Sequence, residues 1–85
     1  MFVIYTKTGC PDCVKAKKLL RREECIAINC DEILQQDRDA FIEDMKRRTG
    51  LGVIIFPLIF IDDDYLGDID ELISYITFKM DDDDF

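Results

Sequence analysis

At 85 residues the chain is long enough for one compact domain and too short for two. Hydrophobic residues make up 48% of it, enough to build a core without disulfide staples. A formal net charge of −8 excludes nucleic acid and anionic membrane surfaces as partners, because both repel an acidic protein. Four of the acids form the run Asp81 to Asp84, so residues 80–85 are expected to be a disordered, solvated tail behind a single domain at 1–79.

The first predicted element is a strand at Phe2 to Tyr5, a continuous β-prone run of the kind buried on both faces. The segment has no basic stretch ahead of it and no small-residue cleavage site, so it reads as a strand and not a leader. No apolar run approaches the ~18 residues that span a bilayer. A cytoplasmic setting follows, and there a C-x-x-C pair is catalytic or metal-binding more often than structural.

Pro11 marks a helix start, where its missing N–H costs nothing. Cys13, Ala16 and Leu20 then share one face with Leu19 beside it, while lysines and arginines cover the rest. Cys25 to Cys30 form a second short apolar run. One helix is expected next, with Leu34, Phe41 and Met45 on a stripe, Ile42 at its edge, and Gly50 as the stop. Pro57 interrupts the run Val53 to Ile61, so the strand proper is expected at Leu58 to Ile61, after the proline. A turn in "DDDYLGD" leads to a return strand ending at Gly67. The closing helix carries Ile69, Leu72, Ile73 and Ile76 on one face, with Asp68 and Glu71 spaced as a capping box. The order β-α-β-α-β-β-α predicts an α/β domain, a small mixed sheet flanked by helices.

Cys10 and Cys13 are the candidate chemistry. At the mouth of a helix, unpaired backbone N–H groups and the positive end of the dipole stabilise a Cys10 thiolate. Lys7 adds positive charge three residues upstream, and Cys13 lies one turn along, within reach of a mixed disulfide on Cys10. Asp12, between them, works against the thiolate. A zinc site would need all four cysteines, or help from carboxylates, since the chain has no histidine. On a strand, Cys25 and Cys30 would face opposite ways and sit ~16 Å apart, which suits neither a shared metal nor a disulfide.

With the isolated Pro57 and the hairpin that follows, the chain resembles the glutaredoxins of the thioredoxin superfamily over roughly Phe2 to Ile76. The segment "YTKTGCPDC" is similar to the family's Lys-x-x-Cys-Pro-x-Cys motif, and "IFPLIFIDDDYLGDIDEL" to its Thr-Val-Pro segment, strand, turn and Gly-Gly pair. The resemblance implies a thioredoxin-like fold, Cys10 as nucleophile, Cys13 as resolving thiol, and glutathione as co-substrate with no tightly bound cofactor. It further implies that Lys7 pairs with a glutathione carboxylate, that Phe56 before a cis Pro57 pairs with the tripeptide backbone, and that Ile69 and Asp70 receive the γ-glutamyl end. The partners implied are glutathione and disulfide-containing or glutathionylated proteins, met by a monomer. Asp12 stands where the family usually has an aromatic residue, and Asp68 where it has the second glycine. Without an arginine between Gly50 and Pro57, basic help is expected from Lys46, Arg47 or Arg48. One alternative is a thioredoxin-like hydrogen donor recharged by a flavin reductase, for example for ribonucleotide reductase. Another is an iron–sulfur or zinc carrier.

Overall fold

The computed structural model describes residues 1–83, with side chains described for 1–78; of the tail expected at 80–85, residues 80–83 belong to the last helix and 84–85 lie outside the described residues. The elements are β1 (Phe2–Thr6), α1 (Pro11–Leu19), β2 (Cys25–Asn29), α2 (Asp31–Gln36), α3 (Arg38–Thr49), β3 (Leu58–Ile61), β4 (Asp64–Gly67) and α4 (Ile69–Asp83). The sheet order is β2-β1-β3-β4. β1 runs parallel to β2 and antiparallel to β3, and β4 returns antiparallel along β3. This is the expected mixed sheet, with β1 in the interior as its unbroken apolar run requires.

Alternation along β1 sends side chains into two cores. Phe2 and Ile4 pack with Ala16 and Leu20 near α1 and with Ile69 and Leu72 of α4. Val3 and Tyr5 face the other way, toward Phe41 and Met45 of α3 and toward Leu58 and Phe60 of β3. The predicted α1 face holds for Cys13, Ala16 and Leu20, whereas Leu19 is exposed. On α4, Ile69 and Leu72 are buried and Ile73 looks out to solvent.

The one helix expected between β2 and β3 is two. Asp37 leaves helical geometry at φ −151° and ψ 62°, while its N–H still closes α2 on the Ile33 carbonyl and its carbonyl opens α3 by accepting from Phe41 N–H. Aspartate is a weak helix former that favours such boundaries, so the chain re-aims here without losing its backbone bonds. Gly50 stops α3 as predicted, with a left-handed φ of 77° and its N–H on the Lys46 carbonyl. The hairpin turn uses Asp62 and Asp63, both at positive φ, the geometry that matches strand twist in a two-residue connection.

Candidate active site

Strand register brings four segments to one end of the sheet. Tyr5 pairs with Leu58, so continuing that register sets Lys7 across from Phe56, just before β3 begins. β4 returns to the same end and hands over through Asp68 to α4. β2 ends there too, with Cys30 N–H donating to the Thr6 carbonyl at 2.8 Å. The loop that leaves β1 supplies the cysteine pair.

Cys10 is the N-cap of α1 and Pro11 its first residue, as the sequence requires. The two sulfurs are bonded, with Cα atoms 5.2 Å apart. Cys10 Sγ also accepts from Cys13 N–H at 3.1 Å, so a backbone donor of the helix mouth points at this sulfur. Cys10 is the outer member, 9% exposed against 1% for Cys13.

The peptide Phe56–Pro57 is cis, and Pro57 is fully buried. The Phe56 ring stacks on Phe41, 6.3 Å between centroids and 4° between planes. Lys7 Nζ lies 5.7 Å from the Phe56 centroid on this assembly, a cation–π contact. Beside them is a cavity of about 210 Å³ lined by Lys7, Leu34, Arg38, Ile42, Ile54, Ile55 and Phe56. Arg38, a basic residue not singled out in the sequence, lines this cavity. The cations expected in its place are otherwise engaged or elsewhere: Arg47 pairs with Asp44, and Arg48 lies 4.7 Å over the Phe60 ring and donates to Tyr5 Oη. Lys46 lines a neighbouring cavity that Arg38 also borders.

At the start of α4, Ile69 is buried in the core and Asp70 is exposed. Asp68 forms its half of the expected capping box. Its Oδ1 accepts from Asp70 N–H at 3.0 Å and from Glu71 N–H at 3.2 Å. Gly67 ahead of it has φ +146°, and a Cβ there would stand 2.4 Å from Glu71 Cγ. Only glycine fits this approach.

The remaining cysteines are set apart from the pair. Cys25 packs against the first core and Cys30 is buried in the second. Burial pushes both thiols up, with the Asp31 charge adding to the effect at Cys30. At neutral pH they are protonated and weakly nucleophilic. Among the described residues no group of three or more His, Cys, Asp or Glu could hold a metal ion. No helix of the described residues is long and apolar enough to cross a membrane.

The glutaredoxin family model matches residues 2–66, from the first strand through the cysteine pair and the cis proline to β4. The chain belongs to the glutaredoxin family. Members of that family are thiol–disulfide oxidoreductases of thioredoxin-like fold, and the closed Cys10–Cys13 pair is of their Cys-Pro-x-Cys type. Glutaredoxin 1 of Rickettsia typhi is 36% identical over 74 residues, which is 85% of this chain and 66% of that protein. The chain thus spans just under two thirds of that relative. The crystal structure of glutaredoxin 1 from Francisella tularensis complexed with cacodylate superposes with a TM-score of 0.76 at 27% identity, covering 94% of this chain and 95% of that one. A buckwheat glutaredoxin–glutathione complex superposes with a TM-score of 0.70 at 27% identity, covering 86% of this chain and 64% of that one.

Proposed function

We propose that this glutaredoxin is a glutathione-dependent thiol–disulfide oxidoreductase that reduces protein disulfides or glutathione mixed disulfides through Cys10 and Cys13. The observation that carries the reading is the pairing of an outer Cys10, capped by a helix-mouth N–H, with an inner Cys13 to which it is already bonded. The Cys10 thiolate attacks one sulfur of the target disulfide, that S–S bond breaks, and the departing thiolate takes a proton from water. Cys13, as thiolate, then attacks the Cys10 sulfur and expels the second half of the target, which closes the Cys10–Cys13 bond. The target gains two electrons and the pair loses them. Two glutathione molecules reverse this in turn: one opens the pair as a mixed disulfide on Cys10, the second attacks that adduct and leaves as oxidised glutathione.

Glutathione is favoured by the cavity beside the pair. Lys7 and Arg38 offer two cations for carboxylates in a chain whose net charge is −8. Phe56, braced by Phe41 and followed by cis Pro57, is assigned the backbone of a strand-like ligand, a form of β-augmentation. Ile69 and Asp70 are assigned the γ-glutamyl end. The buckwheat relative, solved as a glutathione complex, lends the same reading by likeness. A reducing, cytoplasmic setting suits it, and the protein is taken to act as a monomer.

One observation favours a second reading, a thioredoxin-like donor recharged by a flavin reductase. Asp68 Oδ1 already takes up the Asp70 and Glu71 N–H groups. A γ-glutamyl carboxylate arriving there meets an anion in place of free donors. Turnover of a glutathionylated peptide should be strong with glutathione and glutathione reductase, weak with thioredoxin reductase, and lost in Cys10→Ser. Undiminished activity of Cys10→Ser contradicts the assignment of the nucleophile. Preference for thioredoxin reductase transfers the protein to the second reading.

A further inference from the structure

The segment Lys7 to Gly9 carries the chain from the end of β1 to Cys10, and Lys7 lies over the Phe56 ring. All three residues are exposed, and Gly9 adopts φ +78° with open space around it. A carboxylate from another element ties the segment down. Asp31, the first residue of α2, accepts Thr8 N–H through Oδ1 at 2.9 Å and the Thr8 hydroxyl through Oδ2. Asn29, the last residue of β2, completes the ring. Its side-chain N–H donates to Thr8 Oγ1 at 3.4 Å, and its side-chain Oδ1 accepts from Asp31 N–H at 2.9 Å.

The ring is tied to the site through the backbone on both sides. Cys30, between Asn29 and Asp31, donates its N–H to the Thr6 carbonyl, so the clamp and the strand ends form one unit. Cys10 follows Thr8 by two residues, and its sulfur must meet Cys13 N–H at the helix mouth. The Asp31 carboxyl is held below the usual aspartate range, first by the Thr8 hydroxyl and then by Thr8 N–H, with smaller help from Asn29 and Lys7. It is therefore an anion throughout the working range of a thiol enzyme.

We propose that Asp31 is a positioning residue for Cys10, fixing through Thr8 the loop that sets the sulfur at the mouth of α1. The inference rests on the assignment of Cys10 as the attacking thiol. Two effects of Asp31 on Cys10 have opposite signs. As a charge it disfavours a nearby thiolate; as a clamp it keeps the sulfur on the donors that favour one. Charge-assisted hydrogen bonds of this kind outweigh a solvent-screened charge in magnitude, so the clamp governs.

The test is the rate of Cys10 alkylation against pH in the reduced protein, with the modified residue located by mass. Asp31→Ala should move the Cys10 profile to higher pH and slow the neutral-pH rate about tenfold, the loss expected for charge-assisted hydrogen bonds. Asp31→Asn, which keeps a carbonyl acceptor, should recover part of the rate. Thr8→Val, which leaves the charge in place, should slow it in the same direction. The Asp31→Ala and Thr8→Val effects should fall short of additive in the double variant. A Cys10 profile that is unchanged or moves to lower pH in Asp31→Ala overturns the proposal, as does a Thr8→Val profile identical to the wild type. The wild-type profile reports on the underlying assignment: Cys10 no more reactive than Cys25 would overturn that assignment and the proposal with it.

Discussion

Lys7 Nζ stands 5.7 Å from the centroid of the Phe56 ring, joining the loop before the cysteine pair to the residue before the cis proline. The contact follows from the Tyr5–Leu58 register, which sets residues 7 and 56 across from each other. With Arg38 on the same cavity, two cations converge where the proposed tripeptide lies. Lys7→Gln should raise the KM for a glutathionylated peptide about three- to tenfold and leave kcat nearly unchanged, because it removes a binding charge and no reacting group. Arg38→Gln should do the same, whereas Arg47→Gln should not. Steady-state kinetics of the three variants check this, and equal effects of Arg38→Gln and Arg47→Gln would remove Arg38 from the site.

Asp68 performs two tasks that a substitution can separate. As a cap it accepts the Asp70 and Glu71 N–H groups; as a charge it opposes an arriving carboxylate. Asp68→Ala should cost about 1 kcal/mol of stability, the usual worth of an N-cap. Asp68→Asn keeps an acceptor and should leave the melting temperature nearly unchanged while lowering the KM for glutathione a few-fold, the scale of an exposed charge at about 0.2–1 kcal/mol. A melting curve and a glutathione titration on both variants decide it. An Asp68→Asn protein with unaltered KM would show that glutathione does not reach this helix end.

Gly67 is fixed by two independent constraints, its φ of +146° and the Glu71 side chain lying 2.4 Å from where a Cβ would go. Gly67→Ala should destabilise the fold by about 1–3 kcal/mol. Glu71→Ala should rescue it only in part, because Glu71 Cβ itself would lie 2.6 Å from the new methyl. Denaturant titration of the single and double variants tests the order of stabilities. A double variant as stable as Glu71→Ala alone would contradict it.

Cys30 links stability to alkaline pH. Its thiol is raised above its ordinary value of 9.0, first by burial, against a lowering contribution from the Thr6 backbone at the thiol, with Asp31 adding a smaller rise. The folded state therefore holds a proton that the unfolded chain releases sooner. The associated stability is fully present below pH 9.0 and is lost as pH rises through the raised value. Comparing denaturation at pH 7 and pH 10 (approximate settings either side of the thiol range), Cys30→Ala should be less stable at neutral pH and lose less on the alkaline side. Parallel curves for the two proteins would contradict the assignment.

Much of this architecture is written in local pattern. The unbroken run at Phe2 to Tyr5 marked the central strand, Pro57 separated the strand proper from what precedes it, and the helical face of Cys13, Ala16 and Leu20 found the core. The break at Asp37 was not legible, because one residue's departure from helical φ and ψ leaves the Leu34, Phe41 and Met45 spacing intact. That break also hid Arg38. Once α3 is seen to begin at Arg38, a cation sits at the positive end of a helix dipole, a placement unfavourable for folding alone and so a pointer to binding. Asp31 escaped notice for a different reason: its partner, Thr8, is brought to it by the parallel pairing of β1 and β2, which no local pattern encodes.

The central claim is that Cys10 takes the glutathionyl group and Cys13 resolves it. The most direct measurement is intact and peptide mass of the Cys13→Ser protein after exposure to oxidised glutathione, followed by addition of reduced glutathione. The account predicts one glutathionyl adduct, on Cys10, that accumulates without its resolving partner and is released by the added thiol. An adduct on Cys25 or Cys30 in its place, or no adduct at all, would contradict it.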